Sequence, residues 1–411
     1  AARPVAAPQG RVWINDGTII TFNSAGGGFN LLQLDGRFGD DNFSVSPIDG
    51  VPINVVGGDP SASDQLTVNG TTAANAVTIT PTATDGGTVQ VDALGLVTFS
   101  TTESVTFTGD GGNDLVTIMA PASSTTDYTP GATVDSARVR VNSLVPISLT
   151  DLGAGGQDVQ IAAAGAGTVA YHGTTLEDVF VVSAGTPATD GRLLLNGQLP
   201  VETSGVTSIV LDGKEGDDHF TVNTAQPYTN ITLSGGDPDA SDSATLNADG
   251  TPITITVGAP ATVMGGGLGT VTLPGIEDVT LNAANANVDV DGTAADDDIA
   301  YTPTGPESGH LARGGLNTEF NLNDVALLDI DGMGGDNTLT VNGTAGLNTF
   351  TIDGSMVLVA GLQGVDSYSN ESALTVRGLQ GTRTQWALLC TVLNLRKLYP
   401  LWKAEKLSLS P

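Results

Sequence analysis

The chain has 411 residues with 45 acidic against 14 basic, a formal net charge of −31 that excludes nucleic acid and anionic membranes as partners. A single cysteine, Cys390, excludes an intrachain disulfide and a cysteine-based zinc site. Apolar residues at 39% make this a folding chain, 54 glycines without a G-X-Y period favour a turn-rich all-β protein over collagen, and no apolar run of 18 residues offers a transmembrane segment.

Taken in order, residues 1–10 (AARPVAAPQG) form a Pro/Ala-rich arm that lacks Met and reads as a processed, exported start. Strand-forming residues follow, among them Val12, Trp13, Ile14, Ile19, Ile20 and Phe22. This stretch is expected to leave its own body and pack into a neighbouring copy as a donated strand. LDGRFGDDNFSV at 34–45 comes next and returns as LDGKEGDDHFTV at 211–222, 177 residues later. GGDPSASD at 57–64 returns as GGDPDASD at 235–242, 178 residues later. Two motifs at one separation imply a tandem duplication, with halves at 11–188 and 189–376, each of about two modules.

Between the turns, apolar and polar residues alternate, as at Val105 and Phe107, Val116 and Ile118, Phe220 and Val222, and Leu339 and Val341. That period, with Thr, Val and Ile enriched, predicts half-buried strands and no helix before residue 384. Tandem antiparallel β-sandwich-like modules are the expected architecture, with a β-solenoid as the alternative. A sandwich pairs the strands that flank a GDD turn with each other. A solenoid pairs each strand with one about a rung away. Residues 377–411 break the pattern, with six basic residues against Glu405 alone. There Leu388, Val392, Leu395 and Tyr399 are spaced for a short amphipathic helix.

The repeated turn L-D-G-x-x-G-D-D-x-F-x-V allows two readings. Its glycines can take positive φ and its aspartates can accept backbone N–H groups, which closes a turn with no ligand. Alternatively, Asp35, Asp40 and Asp41, or Asp212, Asp217 and Asp218, are oxygen ligands for calcium, with Asp110, Asp114, Asp331 and Asp336 in the related turns. Catalysis is not expected. Asp40 and Asp41 are adjacent in one turn, aromatic content is 5%, His172, His219 and His310 are scattered, and no HExxH, GxSxG or GxxxxGK signal occurs. Asn42, Asn69, Asn230, Asn342 and Asn370 match the N-glycosylation acceptor pattern.

FTGDGGNDLVTI (107–118) and IDGMGGDNTLTV (330–341) resemble the G-G-x-G-x-D-x-hydrophobic-x turns of RTX-type secreted bacterial repeat proteins. Gly109, Gly112 and Asp114, or Gly213, Gly216 and Asp218, match single copies of that turn. The copies here stand 40 or more residues apart, whereas that family stacks them in tandem, so its calcium ladder does not carry over directly. The acidic Thr/Gly/Asn-rich style of residues 11–376 is similar to that of large bacterial surface repeat proteins. That resemblance implies an extracellular structural or adhesive role. The expectation is a non-enzymatic extracellular subunit that assembles head to tail with its own copies into a filament or surface layer. The alternative is a calcium-dependent adhesin or glycan-binding surface protein.

Overall fold

The structure is a computed structural model that describes residues 9–14, 20–23, 30–59, 63–153, 159–237, 241–346, 348–378 and 388–390, with backbone alone for the first two segments and the last. The described residues form 34 strands and no helix, so none has a helix long and apolar enough to cross a membrane. Two compact units are present, residues 1–214 with 226–229, and residues 215–225 with 230–411. The described residues are all-β, and their fold is a β-solenoid of about eight turns.

The strands around the first GDD turn decide between the two expected architectures. Leu32–Asp35 pairs in parallel with Ile53–Val56, and Asn42–Val45 with Gln65–Asn69. Each strand is thus bonded to one a rung away, which is the solenoid arrangement and replaces the tandem sandwich as the description. The signal that favoured a sandwich is nevertheless real, because antiparallel meanders are built into the rungs. Ala76–Ala83, Gly86–Val91 and Val97–Ser100 form one of them.

In the first unit Asn42–Val45, Gln65–Asn69, Ser104–Thr108 and Ile147–Thr150 stack in parallel. Their inward residues make two columns, Phe43–Leu66–Val105–Ile147 and Val45–Val68–Phe107–Leu149, each at most 2% exposed. Alternation alone sends these side chains inward, and each buried Val, Leu, Ile or Phe contributes about 1.5–3 kcal/mol before entropy is counted. The outward positions carry Ser44, Thr67, Thr106 and Ser148. At the start of this unit Gln9–Ile14 pairs antiparallel with Ile20–Asn23 and with Asn42–Val45.

The second unit repeats the arrangement. His219–Asn223, Ser243–Asn247, Asp278–Asp291 and Glu319–Asp331 stack in parallel, burying Phe220–Ala244–Val279–Phe320 and Val222–Leu246–Leu281–Leu322. Outward, Asn223, Asn247, Asn282 and Asn323 form a one-way amide column with Nδ2 to Oδ1 distances of 2.9, 2.7 and 3.1 Å. The last rung is Ser367–Ser369 and Glu371–Arg377. Leu388–Cys390 lies antiparallel along Glu371–Arg377. A strand therefore replaces the helix expected around Leu388, because an open sheet edge offers backbone partners that a short amphipathic period cannot outweigh. Val392, Leu395 and Tyr399 lie outside the described residues.

Candidate functional site at the glycine–aspartate corners

Between the stacked strands the chain turns through six residues that begin with Gly and end with Asp or Asn. One form is G-x-x-G-[DN]-[DN]: GRFGDD at 36–41, GDGGND at 109–114, GKEGDD at 213–218 and GMGGDN at 332–337. Its second residue is left-handed each time, with φ of 69° at Arg37, 59° at Asp110, 76° at Lys214 and 63° at Met333. The other form is G-T-x-x-x-[DN]: GTTAAN at 70–75, GTTLED at 173–178, GTAADD at 292–297 and GTAGLN at 343–348. Here the Thr N–H donates to the terminal Asx, at 2.9 Å for Thr71 to Asn75, 2.6 Å for Thr174 to Asp178 and 3.1 Å for Thr344 to Asn348.

The last residue of these corners is buried, with exposures of 3% at Asp41, 1% at Asp114, and 0% at Asp178, Asp218 and Asn337, except Asn348, which is half-buried. Asp64 and Asp242, at the ends of the longer GGDPSASD (57–64) and GGDPDASD (235–242) corners, are buried at 0% as well. In four of the stacks a side-chain oxygen of this last residue accepts the N–H of the equivalent residue one rung earlier. Asp64 accepts from Asp41 at 2.7 Å, Asp114 from Asn75 at 2.8 Å, Asp242 from Asp218 at 2.8 Å and Asn337 from Asp297 at 2.9 Å. Glu103 and Glu277 continue two of these columns, accepting from Asp64 at 2.7 Å and Asp242 at 2.9 Å. Charge-assisted bonds to backbone N–H groups that the sheet leaves over close the corners. Burial raises the Asp114 pKa, the Asn75 N–H lowers it and Asp92 raises it, with burial the largest effect.

The corners also show why the first glycine is there, which is not the positive φ expected from the sequence. A Cβ on Gly36 would stand 2.3 Å from Asp41 Oδ2, and one on Gly109 1.9 Å from Asp114 Oδ2. The acid packs onto the bare Cα of its own turn. In GRFGDD and GKEGDD it is the second glycine, Gly39 at φ 118° and Gly216 at φ 131°, that serves conformation.

The acid pair of GDD thus divides into two roles. Asp41 and Asp218 are interior and structural. Asp40 and Asp217 are exposed and accept from Ser63 Oγ and Ser241 Oγ. Among the other calcium candidates, Asp35 and Asp110 are exposed, and Asp212 pairs with His172 Nδ1 at 2.9 Å. Asp331 accepts from Asn370 Nδ2 at 2.6 Å and the Met333 N–H at 2.8 Å, which holds its carboxyl below the ordinary range. Asp336 Oδ1 accepts from Ser372 Oγ at 3.2 Å. Among the described residues no three His, Cys, Asp or Glu side chains converge as a metal-holding group.

Two groupings escaped the sequence. His172 lies between Asp212 and Asp127, 3.5 Å from the latter. Asp289 and Asp291 stand in register with Asp329 and Asp331, and these with Ser367 and Ser369, around a cavity of about 270 Å³. Burial and then Asp329 raise the Asp289 pKa, whereas burial, Asp331 and Asp289 raise that of Asp291. The period-two pattern of VDVDG and LDIDG placed all four acids on one face but not beside one another.

Of the assembly candidates, Val12 pairs with Ile20 and Val45, Trp13 with Ser44, Ile14 with Phe43, and Phe22 with Gly10, all within the chain. Ile19 lies outside the described residues. Among the glycan acceptors Asn42, Asn230 and Asn370 are exposed, while Asn69 and Asn342 donate Nδ2 to Ser44 Oγ and Thr302 Oγ1. No family model, no curated protein and no solved structure matches the chain.

Proposed function

We propose that the chain is an extracellular structural protein of a bacterial surface, a non-catalytic scaffold that associates with its own copies into a filament or layer. The observation that carries this reading is the use made of the acids. The pairs that could have served chemistry are divided between an interior column that closes successive corners and an outer residue that holds a neighbouring serine. A scaffold stabilised by repeated corners needs no disulfide, in keeping with the single cysteine. Outward columns of Ser, Thr and Asn supply a hydrated surface, and the large negative charge keeps it soluble.

In the single chain Gln9–Ile14 covers its own Asn42–Val45, so self-association as proposed here does not depend on a donated arm. Electron microscopy of native material, together with light scattering of the purified chain, tests the proposal. Regular filaments or sheets support it, and a monodisperse monomer at every concentration and salt level contradicts it.

A further inference from the structure

The last rung of the second unit departs from the corner rule in one residue. Glu103 and Glu277 each close a column by accepting the N–H of the acid below. Glu371 stands in the same place, opposite Asn337, but the register slips between Asn337 and Thr338, whose next partner is Ala373. The slip inserts Ser372 and carries the Glu371 carboxylate away from the bonding position. Both of its oxygens are buried with no hydrogen-bond partner, although the residue as a whole is partly exposed.

The groups around it are acidic. Asp331 faces it from the end of Glu319–Asp331, and Asp297 from the GTAADD corner, where Arg313 is paired with Asp297. Asp336, beside Asn337, is held by Ser372 Oγ, and its N–H donates to Asp296. Arg313 is thus already engaged, and the described surroundings give Glu371 no cation of its own. An ionised carboxylate here is desolvated and repelled, whereas a protonated carboxyl is neutral and gains a donor O–H beside two acceptors.

We propose that the last rung is a pH-sensitive closure, tightened when Glu371 takes a proton and loosened when Glu371 is ionised. Burial first, then Asp331 and Asp297, push the Glu371 pKa up from 4.5 to about 7. Because the folded-state value lies above the unfolded one, the folded chain binds the extra proton between these two values. Its contribution is therefore fully favourable below pH 4.5, is lost as pH rises toward about 7, and stays lost above that. The titration falls in the neutral range, where few carboxyls respond.

The test compares the full chain with Glu371→Gln, which keeps the shape and removes the charge. At pH 8.5 the variant is expected to resist urea better than wild type. It should also slow amide exchange in Asn337–Asn342 and Glu371–Arg377 by tenfold or more after correction for intrinsic rates. At pH 4.5 the two should coincide. An equal difference at both pH values, or a variant weaker at both, overturns the proposal. Carboxyl-carbon NMR of wild type gives a readout that does not depend on the variant folding. A Glu371 midpoint near 7 supports the closure, and one near 4.5 removes it.

Discussion

At the scale of single residues, the neighbouring acids of a corner do different work, and substitution separates them. Asp114→Ala removes the acceptor of the Asn75 N–H in a buried site and is expected to cost about 2 kcal/mol in urea unfolding. Asp40→Ala, at the surface, should stay within about 0.5 kcal/mol of wild type. The glycines separate in the same way. Gly109→Ala drives a Cβ into the Asp114 carboxylate and should cost about 2–3 kcal/mol. Gly39→Ala meets no atom within 4 Å, and only its positive φ opposes it, at about 1 kcal/mol. The acid pairs were legible in the sequence, but which member faces inward was not. That is fixed by the strand phase on the far side of the corner and by a bond to a residue 23 or 39 positions away.

Among the strands, side chains in register interact along the stack, favourably in some columns and unfavourably in others. The amides of Asn223, Asn247, Asn282 and Asn323 satisfy one another in one direction. The aspartates of VDVDG and LDIDG instead place like charges side by side. Asp289→Asn or Asp291→Asn should raise stability at pH 7 by about 0.5 kcal/mol, the scale of a cross-strand pair. Both carboxyls have raised pKa values, so the ionised form is the disfavoured one. The gain should accordingly shrink to nothing as pH falls below 3.8. Thermal melts at the two pH values check this, and a gain that persists in acid would mean that packing, not charge, is responsible. The N-terminal strand makes a separate prediction. Removing residues 1–22 uncovers the Asn42–Val45 edge, and light scattering should then report aggregation and not a loss of assembly.

For the whole chain, the all-β class was readable because period-two alternation survives in nearly every strand, as at Val105 and Phe107 or Phe220 and Val222, all fully buried. The stacking was not readable, because the rungs differ in length. Gln65 pairs with Asn42 on one side and with Ser104 on the other, steps of 23 and 39 residues, and inserted meanders such as Ala76–Ala83 with Gly86–Val91 hide any constant period. His172 was likewise opaque, since Asp212 lies 40 residues away and only the parallel pairing of two long strands brings them together.

The central claim is that strands pair across rungs and not across corners. Disulfide trapping in a Cys390→Ser background tests it directly, since in-register neighbours in a sheet lie about 4.8 Å apart, within bridging range. The pair Thr67→Cys with Thr106→Cys joins residues opposite each other in Gln65–Asn69 and Ser104–Thr108. The pair Gln33→Cys with Ser44→Cys would meet only if the strands flanking GRFGDD formed a hairpin. Rapid oxidation of the first pair and none of the second is the predicted result, and the reverse would contradict the solenoid.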